Sequence, residues 1–177
     1  MNSKLISISA ISAGLVALFL VVGAYFEMAD LFSVVFASVF VMLPLYYRSY
    51  KASILSYLVG GVIAFLISGF NLLSLVFPAY FAFFGIYPII KCFIMEKRKN
   101  KYVGFVLCLI WFVAVAIGLY FYYTSFMGMA IEDMPAWFND YALIFVALLA
   151  VLVFVVFDRF VIAVRRIFNY YLKRIIK

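Results

Sequence analysis

Apolar residues run in long blocks along nearly the whole chain, and the polar residues gather in short stretches between the blocks. The pattern predicts helices over about 5–26, 31–47, 52–70, 73–95, 102–125 and 141–164. A helix needs about 20 apolar residues to cross the hydrocarbon core of a bilayer. The blocks are too long and too uniformly apolar for the alternating strands of a membrane barrel. The expected fold is therefore all-α, a single integral bundle of six transmembrane helices filling residues 1–177. Composition agrees. Hydrophobic residues make up 71% of the chain and charged residues 12%, where soluble domains carry about a quarter. The first block follows Lys4, as a secretion signal would, but it continues to Phe26 without a small-x-small cleavage pattern. It reads as a retained helix.

Charge sets the orientation. Lys4 precedes the first span, Arg48 and Lys51 separate the second and third, and Lys91, Lys97, Arg98, Lys99 and Lys101 surround the fourth junction. Arg159, Arg165, Arg166, Lys173, Arg174 and Lys177 close the chain. In a six-span arrangement all of them fall on one side, while Glu27, Asp30, Glu132, Asp133 and Asp140 fall on the other. The positive-inside rule makes the basic side cytoplasmic, with both termini there, in the cell membrane. The net charge of +7 then reflects contact with anionic lipid head groups, not with nucleic acid. Residues 158–177 read as a basic amphipathic helix. Arg159, Arg166, Tyr170, Lys173, Arg174 and Lys177 lie to one side, and Phe160, Val164, Ile167, Phe168, Tyr171, Leu172 and Ile175 to the other. Such a tail is expected to lie on the inner leaflet or to dock a cytoplasmic partner.

Catalytic patterns are missing from the sequence. There is no HExxH, no GxSxG, no Gly-rich phosphate loop and no histidine, so no catalytic residue, metal ligand set or cofactor is predicted. Cys92 and Cys108 read as buried apolar thiols. No ionisable residue is expected in the middle of a span, which argues against a self-sufficient ion-coupled carrier.

Small residues recur at four-residue spacing. Ser9, Ala13 and Ala17 form such a ladder in the first span, Ala29, Ser33 and Ala37 in the second, and Ala52, Ser56, Gly60, Ala64 and Ser68 in the third. Small faces let membrane helices approach closely, inside one bundle or between subunits. In the fourth span Pro78 and Pro88 flank Gly85, and Tyr80, Phe84, Tyr87 and Lys91 share one face of a regular helix. A bent helix of this kind can border a cavity with an aromatic wall. Glu27, Asp30, Asn71, Tyr122, Tyr123, Trp137, Asn139 and Asp140 lie toward the acidic side. The candidate solute-binding residues are Glu27, Asp30, Asn71, Tyr80, Phe84, Tyr87, Trp137, Asn139 and Asp140.

Six predicted spans, the absence of energy-coupling motifs and the segment Ala13-Gly14-Leu15-Val16-Ala17 together resemble the substrate-binding S components of energy-coupling factor (ECF) transporters. The resemblance covers the architecture of the whole chain and one short motif. It implies a subunit that binds a vitamin-like small molecule from outside. It also implies a partnership with a transmembrane coupling subunit and two cytoplasmic ATPases, with Ser9, Ala13 and Ala17 facing the coupling subunit. The alternative from another class is a structural or regulatory bundle that assembles with another membrane protein without carrying solute.

Overall fold

The computed structural model describes residues 3–47, 49–71, 74–96, 101–126 and 136–175, with backbone alone at 27, 96, 101, 126, 136–140 and 171–175. Among the described residues every regular element is helical. In chain order they are α1 (Ser3–Tyr25), a 3-10 turn (Glu27–Ala29), α2 (Asp30–Val41), α3 (Leu43–Tyr46) and α4 (Tyr50–Ile67). There follow α5 (Val76–Ala79), a π turn (Tyr80–Phe84), α6 (Tyr87–Glu96), α7 (Lys101–Phe126) and α8 (Ala136–Ile175).

Five stretches are long and apolar enough to cross a membrane: Ser3–Tyr25, Tyr50–Ile67, Val76–Met95, Tyr102–Ser125 and Tyr141–Tyr170. The second predicted span is a shorter apolar helix, Asp30–Tyr46. It breaks at Met42, where α2 gives way to α3. The cause is Pro44, which has no N–H to donate to the Phe40 carbonyl four residues back. Ser12 of α1 supplies the missing donor, with Oγ 2.7 Å from that carbonyl. Ser53 of α4 donates in the same way to the Val41 carbonyl at 2.6 Å.

α1, α2–α3 and α4 form the tightest part of the bundle. α4 runs parallel to α1, with Ser56 Oγ donating to the Ser9 carbonyl at 3.0 Å. One turn on, a Cβ placed on Gly60 would stand 2.7 Å from Val16 and 2.9 Å from the Ala13 carbonyl oxygen. α2–α3 returns antiparallel along the whole of α1. Ser33 lies against Gly23, Phe36 and Phe40 stack on Phe19, and the Lys4 ammonium sits over the Tyr47 ring.

This packing corrects one expectation. Ser9, Ala13 and Ala17 are each only 5% exposed, because α4 and α2 cover them. The face assigned to a partner subunit is filled by the chain's own helices. A stripe of small residues specifies a close neighbour, and the neighbour here is intramolecular.

The tail also differs. Residues 158–175 continue α8 without interruption instead of forming a separate helix. At 1.5 Å per residue, the 40 residues of α8 extend for about 60 Å. That is roughly twice the hydrocarbon thickness of a bilayer. Val161 and Val164 are buried while Ile167 is exposed, so the packed side of the tail is shifted from the predicted one.

Candidate functional site

The fourth predicted span is where the bundle departs from regular geometry. In an α-helix the Gly85 amide would donate to the Phe81 carbonyl. Here it donates to the Tyr80 carbonyl instead, at 3.0 Å, which closes the wider π turn. The released Phe81 carbonyl accepts from the Tyr57 hydroxyl of α4 at 2.8 Å. Tyr80 returns the contact, its hydroxyl 3.2 Å from the Tyr57 carbonyl. Gly85 is required at this crossing, since a Cβ there would come within 2.5 Å of the Tyr57 ring.

A π turn holds one more residue than an α turn, so it rotates everything after it relative to everything before. The single face expected for Tyr80, Phe84, Tyr87 and Lys91 is therefore divided. Tyr80 packs on Tyr57 of α4. Phe84 meets Phe112 of α7 and Phe157 of α8. Tyr87 and Lys91 both reach Asp158 of α8.

Beside this distortion lies a cavity of about 460 Å³. Asp30, Leu31 and Val34 of α2 form one wall, and Leu75, Val76, Ala79 and Phe84 form the next. α7 contributes positions from Phe112 to Tyr123, and α8 contributes positions from Val146 to Val153. Phe112 and Phe84 lie at its deep end, against Phe83, Phe154 and Phe157. Tyr120, Tyr123 and Asp30 lie toward the end of the bundle that carries the α1–α2 connection. Asp30 opens α2, where the helix dipole favours a negative charge.

Of the residues predicted to bind solute, Asp30 and Phe84 line this cavity. Tyr80 and Tyr87 are fully buried elsewhere, in the contacts to α4 and α8. Asn71 is half-buried just after the left-handed turn at Gly69 and Phe70. The side chains of Glu27, Trp137, Asn139 and Asp140 lie outside the described residues. Tyr120, Ala79 and the hydrocarbon walls of α7 and α8 went unassigned. They lie within ordinary apolar runs, and nothing local distinguishes a cavity wall from a lipid face.

Asp158 is a second unpredicted feature and a correction. Sequence pattern assigns it to the start of the tail and places Lys91 near the cytoplasmic end of the fourth span, with no ionisable residue expected in the middle of a span. The structure buries Asp158 within a spanning stretch and half-buries Lys91 beside it. Asp158 is 4% exposed, and its Oδ1 accepts from Lys91 Nζ at 2.5 Å and from the Tyr87 hydroxyl. Lys91 also lies over the Phe105 ring. A carboxylate and an ammonium are costly in an apolar interior unless paired and hydrogen-bonded. The signal for this pairing was one acidic residue inside an apolar run, with a lysine one turn beyond Tyr87.

Among the described residues no cluster of three or more His, Cys, Asp or Glu could hold a metal. Cys92 and Cys108 are buried and not joined in a disulfide. The architecture is that of a multi-pass, membrane-type helical bundle with an apolar cavity between its helices, open at the surface beside Leu31 and Leu149. Neither a protein family, nor a characterised protein, nor a solved structure matches the chain.

Proposed function

We propose that this chain binds a small molecule within the cell membrane and serves as the solute-binding subunit of an uptake system driven by other subunits. The cavity between α2, α5, α7 and α8 carries this reading. Its volume of about 460 Å³ falls in the range of small-molecule sites, about 300–1,000 Å³. It is built from helices of membrane-spanning character. With Asp30–Tyr46 counted as a span, the chain crosses six times. The basic end is then cytoplasmic by the positive-inside rule, and the end of the cavity bearing Asp30 faces outward.

The sequence carries no phosphate-binding loop. Energised uptake therefore draws on a transmembrane coupling subunit and cytoplasmic ATPases. With Ala13 and Ala17 covered, the coupling contact falls on the outward face of α1, where Ile11 and Leu18 are exposed and a Cβ on Gly14 would meet nothing within 4 Å.

Mass spectrometry of small molecules retained through detergent purification tests the reading. The native protein should retain a non-lipid solute. Ala116→Phe, which projects a ring into the cavity, should release it while the protein stays folded. Retention of lipid and detergent only, or equal retention by the variant, would overturn the proposal.

A further inference from the structure

The walls of the cavity restrict what it can hold. Among the described lining residues Asp30 is the one charged group, and Tyr120 and Tyr123 are the others with a polar side chain. All three lie at one end. The rest of the lining is aliphatic or aromatic, from Leu31 and Val34 to Phe84 and Phe112. The cavity follows α7 from Phe112 to Tyr123, about 16 Å at 1.5 Å per residue. It is therefore long, apolar and acidic at one end.

We propose that the solute is an amphiphile with a single amine head and an apolar body, the ammonium seated at Asp30 and the body extending toward Phe84 and Phe112. This deepens the solute-binding reading and rests on it. The reasoning is one of complementarity. A carboxylate or phosphate head would meet Asp30 with like charge. A polyhydroxylated solute would give up water hydrogen bonds along the body without replacement. An ammonium head gains a charge-assisted hydrogen bond, stronger than one between neutral groups. Its apolar body gains the area buried along the aromatic floor. The two tyrosines add hydroxyl groups and ring faces, both of which accommodate a cation.

Three probes with the same apolar body and different heads test this on the full chain in detergent micelles: phenylbutylamine, phenylbutanol and phenylbutyrate. Dissociation constants come from calorimetry. The amine should bind about tenfold more tightly than the alcohol, and the carboxylate most weakly. Asp30→Asn should reduce amine affinity to that of the alcohol while leaving the alcohol within about twofold. If that variant fails to fold, the ranking of the three probes by the native protein still decides. Ala116→Phe should weaken all three probes. Equal affinity of amine and alcohol, or preference for the carboxylate, overturns the amine assignment and leaves the binding reading intact, provided Ala116→Phe still abolishes binding. No saturable binding of any probe overturns the assignment. If no non-lipid solute is retained on purification either, the binding reading falls with it.

Discussion

Single residues repair the backbone of this bundle at Pro44 and at the π turn. Ser12 donates to the Phe40 carbonyl that Pro44 leaves open, and Tyr57 donates to the Phe81 carbonyl that the π turn releases. In lipid no water can take over these roles. Hydrogen bonds between membrane helices average about 0.6 kcal/mol and reach about 1.7. Tyr57→Phe should fall at the upper end, because within the π turn the Gly85 N–H is held by Tyr80 and does not serve Phe81. The expected result is a lower melting temperature of the detergent-purified protein, and an unchanged value would show that the turn re-forms as α-helix. The Lys91–Asp158 pair calls for a different test. Lys91→Met alone or Asp158→Leu alone leaves one buried charge and should cost about 3–5 kcal/mol. The double variant should recover most of that loss, since an apolar pair of similar volume is often neutral in such a site. Additive losses in the double variant would mean that the two groups contribute separately and not as a pair.

At the level of elements, α1 and α4 approach so closely that position decides what each glycine tolerates. Gly60→Ala drives a Cβ toward the Ala13 carbonyl oxygen and Val16, where backbone must shift. Overpacking of this kind typically costs about 1–3 kcal/mol. Gly14, on the opposite face of α1, has nothing within 4 Å of an added Cβ. Gly14→Ala should be neutral or stabilising, since alanine is the better helix former. Thermal unfolding of the two variants should therefore shift in different directions, and equal losses would contradict the parallel α1–α4 register. Much of this was legible beforehand. The positions of the helices and the small-residue ladders follow from local pattern, because hydrophobic length and four-residue spacing are local properties. What covers a ladder is not local. Ser9, Ala13 and Ala17 define a face, but the sequence does not say whether α4 or another subunit lies on it. The π turn was equally hidden. Pro78, Gly85 and Pro88 indicate a bend, yet the phase change that separates Tyr80 from Tyr87 depends on the Tyr57 hydroxyl of another helix donating to the released Phe81 carbonyl. Asp158 was misassigned for the same reason, since its partner Lys91 lies on another helix far away in sequence.

For the molecule as a whole, one short helix decides how many times the chain crosses the bilayer. Asp30–Tyr46 has 17 residues, about 25 Å at 1.5 Å per residue, against a hydrocarbon core of about 30 Å. Length alone leaves it short. Its course favours a crossing, because it follows α1 from the Gly23–Ser33 contact to the Lys4–Tyr47 contact. The described basic residues Lys4, Lys51, Arg159, Arg165 and Arg166 gather at the Tyr47 end, as a one-sided charge distribution requires. Two exposed positions separate the possibilities. Met28, in the α1–α2 connection, is 101% exposed, and Tyr102, at the start of α7, is 86% exposed. The native thiols Cys92 and Cys108 are 4% and 5% exposed, so background labelling by an impermeant maleimide should be low. If Asp30–Tyr46 spans, three crossings separate the two positions. Met28→Cys should then be labelled in intact cells, and Tyr102→Cys only after permeabilisation. If the short helix enters and leaves on one face, two crossings remain and both positions are labelled together or protected together. That outcome would replace the six-span arrangement with five spans and a re-entrant helix. The reversed pattern, with Tyr102→Cys labelled and Met28→Cys protected, would put the basic end outside and the Asp30 end of the cavity toward the cytoplasm. Uptake from outside through that end would then be excluded.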